Sequence, residues 1–396
     1  MKKRVIFIVV TALLCCLLVA CGSKTRLQAP QNIRQNGPFL IWDEVENAEG
    51  YIVLADNEEY VTAEPSCNLS FLGGETVYVV KIKAVGVGEN FADSDWSEFG
   101  FNEIFKYTLL ADGSGYEVNL SVSSVELQDR KVVVPSTYEN LPVTRIADKM
   151  FYKCASLTEV ALPNTLKEIG ANAFYNCDAL ESIELPASVT AIGSGAFREC
   201  VALKKIVVSS GVECIAEEMF YECASLTEIV LSNTLKEIKR AAFAHCIALE
   251  SIELPESVTA IGSSAFSGCL SLKKIVVPDG IERIEGNMFG DCTSLTEVVL
   301  PSTLKEIMGM AFRNCEALKT VVLPSSLKDI GKGAFSNCPL ESVFFGGTEA
   351  EYLSVSVAEG NDSILSAAVY FYSETEPTEN PQKFWRYSGG KPLPWA

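Results

Sequence analysis

Nine cysteines recur at a constant spacing of 23 residues between positions 154 and 338 of the chain. They are Cys154, Cys177, Cys200, Cys223, Cys246, Cys269, Cys292, Cys315 and Cys338. Thiols in such an array could pair as disulfides, ligate metal ions or fill one repeated packing position. The elements that position the cysteines decide among these three chemistries.

The cysteines belong to a repeat that predicts a stack of coils. In the unit that starts at Cys154, apolar residues alternate on a short strand, return on an opposite wall and end in Ala-Phe. These positions are Leu157, Val160, Leu162, Leu166, Ile169, Ala173 and Phe174. A fixed short period is typical of a solenoid, in which neighbouring coils cover the apolar face that one coil cannot bury alone. We therefore expect about ten stacked coils with irregular ends.

This stacking favours a ladder of free thiols over the other two chemistries. Neighbouring strands lie ~4.7–4.9 Å apart, so parallel cysteines are farther apart than the ~3.8 Å between the Cβ atoms of a typical disulfide. Their number is odd, and no Cys-x-x-Cys pair supplies a zinc-like chelate. Disulfide pairs and a metal array stay open as alternatives, but we expect a structural cysteine ladder without metal or cofactor. So many free thiols in an exported protein would suit a low-oxygen habitat.

The repeat resembles one known family. Its pattern, Cys-x-x-Leu-x-x-Ile-x-Leu-Pro-x-x-Leu-x-x-Ile-x-x-x-Ala-Phe, is similar to BspA-like leucine-rich repeats, also called the Treponema pallidum type, over about residues 131–345. Ser209 and Ser232 replace the proline, and Met219 and Met288 replace the alanine. The resemblance implies a mainly β leucine-rich-repeat solenoid of 23-residue coils. It also implies an adhesin or protein-interaction role, because BspA-like proteins are associated with binding host matrix proteins or other cells.

The N-terminus predicts export and lipid anchoring. Residues 1–20 combine a basic start with an apolar run too short for a membrane span, which is typical of a cleaved signal. The following Leu18-Val19-Ala20-Cys21 resembles a bacterial lipobox, which implies that Cys21 carries the lipid and that residues 21–28 form a tether. The alternative is a plain secretory signal. We expect an extracytoplasmic protein on the cell surface, held to the membrane through the lipid on Cys21 only.

Residues 29–102 predict a small β-sandwich. Short alternating segments are separated by Gly, Asn and Asp, as in antiparallel strands. Trp42, Tyr51, Tyr78 and the segment Ser-Asp-Trp-Ser-Glu-Phe resemble a fibronectin type III module, with Tyr78 at the tyrosine corner. We expect Trp42 and Trp96 to be core residues and the module to act as a spacer.

The remaining segments predict the ends of the solenoid. Residues 103–153 contain an N-terminal cap and a first irregular coil, residues 154–345 contain the leucine-rich repeats, and residues 346–396 form a C-terminal cap. In this cap we expect a helix over about 349–368, a strand after it, and Trp385 and Trp395 covering the last coil.

Three outward columns on the repeated strand predict what lies on the solvent face. Thr158, Glu181 and Lys204 begin one column and Glu159, Ser182 and Lys205 the next, and both repeat every 69 residues so that Glu and Lys fall on neighbouring strands. The third column contains Ala161, Glu184, Val207, Val230, Glu253, Val276, Val299 and Val322. Solvent-facing valines in a row indicate a partner-binding face, although valine also simply suits a strand.

Catalysis and nucleic-acid binding are not expected. The only histidine, His245, precedes Cys246 at a slot that Asn, Glu, Gly or Asp fills elsewhere, which indicates a variable surface position. No phosphate-binding Gly-Lys-Ser and no Gly-x-Ser-x-Gly elbow occur. A net charge of -19 argues against nucleic-acid partners, which need clustered Lys or Arg.

These observations predict a non-catalytic, lipid-anchored surface protein that mediates protein–protein interaction or adhesion through the exposed sheet. The partner would be a host matrix protein or another cell surface. The alternative is a glycan-binding surface lipoprotein that serves polysaccharide uptake or degradation, although the absence of aromatic residues from the three columns weighs against it. The sequence names neither the ligand nor the type of cell envelope.

Overall fold

The chain forms two compact units, one built from residues up to 73 and from 80–98, the other from 74–79 and from residue 99 onward. The structure is a computed structural model that describes residues 24–36, 39–55, 58–68, 79–100, 105–121 and 131–395. The predicted signal, the lipid site at Cys21 and the tyrosine corner at Tyr78 lie outside the described residues. Among the described residues, none of the helices combines the length and the apolar run that crossing a membrane requires.

The first unit contains short, mostly antiparallel strands. They are Thr25–Arg26, Arg34–Asn36, Phe39–Ile41, Ala48–Ala55, Glu58–Thr62, Ser66–Asn68, Val79–Gly86, Phe91–Ala92 and Ser97–Gly100. One sheet has three strands and another has four, with Ala48–Ala55 central in the larger one. Trp42 and Tyr51 are buried with their ring centroids 5.1 Å apart. The assignment of this unit to the fibronectin type III fold stays a prediction, as do the domain boundaries.

Trp96 is not a core residue, contrary to the expectation. Its side chain is 37% exposed, and the Lys83 ammonium lies 5.1 Å from its ring centroid. Lys83 also contacts Asp93 at 3.0 Å. The contact between the ring face and the Lys83 ammonium is favourable at the surface, so the ring can be stabilised without burial in the core.

The second unit begins with a cap over the first coil. The strands Phe105–Leu109 and Tyr116–Leu120 form an antiparallel pair, and the second of them pairs in parallel with Leu141–Ile146. The short strands Lys131–Val133 and Thr137–Tyr138 complete this region. Tyr107 stacks on Tyr138 with ring centroids 4.0 Å apart, so aromatic rings cover the end of the stack.

The solenoid places two walls of short parallel strands around one core. The strands of the first wall are Glu159–Ala161, Lys205–Val207, Glu228–Val230, Lys274–Val276, Glu297–Val299, Thr320–Leu323 and Ser342–Phe345. Those of the second wall are Glu168–Ile169, Ala191–Ile192, Cys214–Ile215, Glu237–Ile238, Ala260–Ile261, Arg283–Ile284, Glu306–Ile307, Asp329–Ile330 and Ser356–Val357. Strand partners are 23 residues apart through the repeats, for example Ile206 with Ile229, so the sequence period becomes the coil period. The fold is a mainly β leucine-rich-repeat solenoid of about 11 turns, as the resemblance implied.

A third side of each coil consists of turns around a column of phenylalanines. The nine rings from Phe151 to Phe335 are fully buried, with neighbouring centroids 5.1–5.7 Å apart. The backbone N–H of each of these residues except the last donates to the carbonyl one coil further on, as Phe243 does to Ala265 at 2.8 Å. The coils are therefore joined on all three sides.

The C-terminal cap continues the stack. Ser342–Phe345 pairs in parallel with Ala368–Tyr372, which pairs with Phe384–Ser388, and Lys391–Pro394 closes the sheet. The expected helix is wrong in extent, because two short helices, Glu349–Leu353 and Asp362–Ser366, flank the strand Ser356–Val357. A 3-10 helix covers Pro381–Lys383. Trp385 and Trp395 are buried, and the Trp385 indole N–H donates to the Phe345 carbonyl at 2.9 Å.

Candidate functional site

The outward side of the first wall, here called the sheet face, presents the row of valines to solvent. The inward residues, such as Ile206 and Ile275, are buried, and strand alternation turns their neighbours outward. Val207, Val230, Val276 and Val299 are 41–48% exposed. Glu184 and Glu253 are exposed in the same row, whereas Val322 is half-buried. Exposed valines thus form most of one of the three outward columns of this face.

Backbone pairing aligns the row in short segments. Val207 pairs with Val230, and Val276 pairs with Val299. The two coils that carry Glu184 and Glu253 each pair with the following coil through one isolated β-bridge, Ser182 with Lys205 and Ser251 with Lys274. Each pair of valines is therefore separated from the next by one exposed carboxylate.

Backbone pairing extends this column beyond Val322 to aromatic residues that the predicted column did not include, although the first of them, Phe344, is buried. Val322 pairs with Phe344, and Phe344 pairs with Tyr370. The Phe344 and Tyr370 rings stack at 5.2 Å between centroids. Beyond them Tyr372 and Tyr387 are 37% and 56% exposed. The one-residue slip after Cys338 concealed this alignment in the sequence.

The predicted pairing of opposite charges across strands is confirmed. Lys204 contacts Glu181 at 2.7 Å and Lys273 contacts Glu250 at 2.6 Å. In the neighbouring column, Lys205 contacts Glu228 at 2.5 Å and Lys274 contacts Glu297 at 2.6 Å. All four pairs are exposed, so each contributes little to stability but favours the correct register.

The nine cysteines form a column inside the solenoid. Their side chains are 0–3% exposed, and each described cysteine of the chain is a free thiol. From Cys177 to Cys338, each Sγ donates a hydrogen bond to the carbonyl of the phenylalanine 26 residues earlier, at 2.8–3.3 Å. Burial raises the pKa of the Cys154 and Cys246 thiols to about 12. These two thiols therefore stay protonated at neutral pH.

These hydrogen bonds were missed by reasoning from the sequence, which treated cysteine only as a small apolar side chain. The carbonyl oxygen of Phe220, for example, accepts from the backbone N–H of Cys223 at 3.2 Å and from the Cys246 thiol at 3.2 Å. A carbonyl has two lone pairs, and burial makes an unused one costly. The signal available in the sequence was that alanine never replaces cysteine in this column.

His245 lies on the surface in the left-handed region of backbone conformation. Its φ is 61°, and its ring meets Tyr221 edge-on at 5.4 Å between centroids. The equivalent slots at Asn176, Glu222 and Asn314 also have positive φ. Asn, Asp and Gly recur there because they tolerate this conformation best.

The described residues contain no group of three His, Cys, Asp or Glu side chains that could hold a metal ion. A shallow cleft of about 440 Å³ opens where the second wall is interrupted between Ala260–Ile261 and Arg283–Ile284. Its charged side chains are paired with one another, Arg283 with Glu306 and Lys305 with Glu282, both at 2.6 Å.

The repeats and their two walls define the class of leucine-rich-repeat solenoids. The chain belongs to the family of BspA type leucine rich repeat regions, whose model matches residues 135–250 and 236–354. Members of this family are repeat scaffolds for protein interaction, typically without enzymatic activity.

Solved structures that match parts of this chain come from several bacteria. The leucine-rich repeat protein of T. pallidum is 29% identical over 59% of this chain and 86% of its own, with a TM-score of 0.39. A leucine rich cell surface protein of Faecalibacterium prausnitzii is 22% identical over 65% of this chain and 97% of its own, with a TM-score of 0.36. The pneumococcal vaccine antigen PcpA is 18% identical over 71% and 91%, with a TM-score of 0.36. No curated protein sequence matches the chain.

Proposed function

We propose that the chain is a non-catalytic, lipid-anchored protein of a bacterial cell surface that mediates protein–protein interaction or adhesion through the sheet face. The observation that carries this proposal is the exposure of Val207, Val230, Val276 and Val299 in one outward row. Exposed apolar side chains bordered by charged residues occur at protein interaction sites. Lipidation of Cys21 would hold this face outside the membrane.

A pair of matched variants tests the face. Val276→Lys with Val299→Lys places two charges in the row, while Ile247→Lys with Leu270→Lys alters two side chains of the same exposure, 41% each, outside it. In a binding screen against matrix proteins and intact cells, the first variant should lose binding and the second should retain it. Equal binding by both variants would exclude the row as the binding site.

A second candidate function is glycan binding at the aromatic end of the same face. Exposed Tyr372 and Tyr387 supply rings on which a sugar could stack, beside the Phe344–Tyr370 pair. Tyr372→Ala with Tyr387→Ala should abolish binding to a polysaccharide array and leave protein binding intact. If no polysaccharide binds the unaltered chain, this second candidate is discarded.

The lipid anchor has its own test. Cells that express the full chain should incorporate labelled fatty acid into it, and Cys21→Ala should remove the label and release the protein from the membrane fraction. Label retained by the variant would place the lipid elsewhere. If the unaltered chain takes up no label and is released from the membrane fraction, the plain secretory signal is favoured.

A further inference from the structure

The outward residues of successive coils form a set of three recurring triplets. The first type is Thr158-Glu159-Ala161, Thr227-Glu228-Val230 and Thr296-Glu297-Val299; the second is Glu181-Ser182-Glu184 and Glu250-Ser251-Glu253; the third is Lys204-Lys205-Val207 and Lys273-Lys274-Val276. Every one of these side chains is exposed. The second type carries two carboxylates and the third carries two ammonium groups, so these two triplets are complementary.

We propose that the sheet face binds a second copy of the chain in antiparallel orientation, about a twofold axis through the Thr227-Glu228-Val230 triplet. This inference rests on the proposed function, since it names a partner for the same face. A twofold axis parallel to the strands reverses the order of the coils and keeps the order of the columns. Each triplet then faces the triplet that lies equally far on the other side of the axis.

This arrangement brings opposite charges together at four places. The Glu250 triplet faces the Lys204 triplet of the second copy, and the Glu181 triplet faces the Lys273 triplet. By symmetry each of these contacts occurs twice. Because complementary charges suppress wrong orientations and like charges oppose contact, the pattern selects the antiparallel pair over a parallel one, in which each triplet would face itself.

The arrangement also supplies partners for two carboxylates that have none. Among the described residues, Glu184 and Glu253 form no ion pair. In the pair of copies they lie diagonal to Lys274 and Lys205 of the second copy. The triplets that face their own type carry glutamates too, since Glu228 faces itself and Glu159 faces Glu297. Glu228 and Glu297 contact Lys205 and Lys274 of their own chain, at 2.5 and 2.6 Å, so each of these lysines lies between a carboxylate of its own chain and one of the second copy.

This position of the axis sets both glutamate triplets against both lysine triplets. An axis through the Thr296 triplet would set the Lys273 triplet against Lys319, Thr320 and Val322, so that lysine faces lysine. The axis through the Thr227 triplet instead aligns seven coils, a length of about 29 Å at a strand spacing of ~4.8 Å. At its centre Val230 meets Val230 of the second copy.

Two charge-reversed variants test the inference when studied alone and mixed. Lys204→Glu with Lys273→Glu makes the face acidic, and Glu181→Lys with Glu250→Lys makes it basic. By analytical ultracentrifugation of the chain from residue 22, the unaltered protein should dimerise, and each variant alone should dissociate with a constant at least about tenfold higher. An equimolar mixture of the two variants should restore the dimer, because their faces are complementary.

Lys305→Glu is the control for losing an ion pair within one chain, because it breaks the contact with Glu282 on the second wall and should leave the dimer unchanged. Unaltered melting temperatures of all variants show that they fold. A monomeric unaltered chain, variants that dimerise alone, or a mixture that stays monomeric would overturn the inference.

The same measurements separate this inference from the proposed function. Val276 faces the Glu181 triplet in the dimer, so Val276→Lys with Val299→Lys should keep the dimer while it abolishes binding of another protein. A chain that is always monomeric but loses protein binding through these valines refutes the dimer alone. A dimer that forms while protein binding ignores the valines refutes the binding site for other proteins and supports the antiparallel pair.

Discussion

The Ser363 hydroxyl donates a hydrogen bond of 2.7 Å to the backbone carbonyl of Phe335, at the end of the phenylalanine column. One coil earlier, the Cys338 thiol makes the equivalent bond to Phe312 at 2.8 Å. Serine thus replaces cysteine where the stack ends and solvent is near. The shared element is a donor for the second lone pair of a buried carbonyl, so the cysteine column is a ladder of hydrogen-bond donors as well as of packing groups.

The donor role predicts a ranking of substitutions at Cys246. Cys246→Ala removes the bond to Phe220 and leaves a small cavity, so the free energy of unfolding should fall by about 1–3 kcal/mol. Cys246→Ser keeps a hydroxyl donor and should lose less. Urea unfolding followed by circular dichroism measures both values. A serine variant no more stable than the alanine variant would mean that packing alone explains the column.

The raised pKa of the buried thiols predicts a loss of stability at alkaline pH. The thiol of Cys246 has a pKa of about 12 in the folded chain against 9.0 for an ordinary thiol. Below pH 9 it is protonated in both states and its contribution is complete. Between pH 9 and 12 only the unfolded chain ionises, so stability falls by up to about 1.4 kcal/mol per pH unit for each such thiol.

Unfolding free energies between pH 8 and about pH 11 measure this slope. Cys246→Ser should make the slope shallower by about one thiol's share, because serine does not titrate in this range. A slope that is identical in the variant would show that this thiol ionises equally in both states.

Asn361 lies at the end of the phenylalanine column and is fully buried, so we expect substitutions there to reduce stability strongly. Its side-chain oxygen accepts from the Phe335 N–H at 3.0 Å, and its amide group donates to the carbonyls of Gly331 and Ala358 at 2.9 and 2.8 Å. Asn361→Leu leaves the Phe335 N–H and the Ala358 carbonyl without partners, each worth about 1–3 kcal/mol, whereas the Gly331 carbonyl still accepts from the Ala334 N–H at 3.2 Å. Stability should therefore fall by at least about 2 kcal/mol, with early exchange of the Phe335 amide hydrogen in mass spectrometry.

Ser366→Ala is the control for this change, because Ser366 lies on an exposed position of the same segment and bonds only within its own helical turn. It should alter the free energy of unfolding by less than about 0.5 kcal/mol. A mild effect of Asn361→Leu would mean that water replaces the side chain at the end of the stack.

The sequence predicted the parts of this fold that repeat, and its errors fall where the repeat ends. The positions of Leu157, Ile169 and Phe174 follow from the 23-residue period, because each coil repeats the same burial. Ser363 lies 25 residues after Cys338 and shares neither its type nor its spacing, so no pattern pointed to it. Phe344 was likewise placed outside the valine row because the one-residue slip hides a register that only backbone pairing reveals.

Backbone conformation predicts a stabilising substitution at Glu222. Its φ is 57°, a region that costs about 1 kcal/mol for most side chains and less for asparagine. Asparagine already occupies the equivalent Asn176 and Asn314. Glu222→Asn should therefore raise the free energy of unfolding by up to about 1 kcal/mol. Glu256→Asn, at an exposed turn position without positive φ, should bring no gain, and a gain of equal size there would point to a charge effect instead.

The cross-strand pairs predict a measurable but small coupling between Glu250 and Lys273. Their charged groups are 2.6 Å apart and both side chains are mostly exposed, so screening by water limits the interaction. A double-mutant cycle with Glu250→Gln and Lys273→Met should give a coupling of about 0.2–1 kcal/mol that shrinks as salt rises. Glu253→Gln, which removes an unpaired carboxylate beside them, should show no coupling to Lys273→Met in the monomer. In the proposed dimer, Lys273 would also face Glu181 of a second copy. A coupling energy that grows with protein concentration would therefore connect this pair to self-association. A coupling energy that does not depend on concentration would assign the whole effect to strand register within one chain.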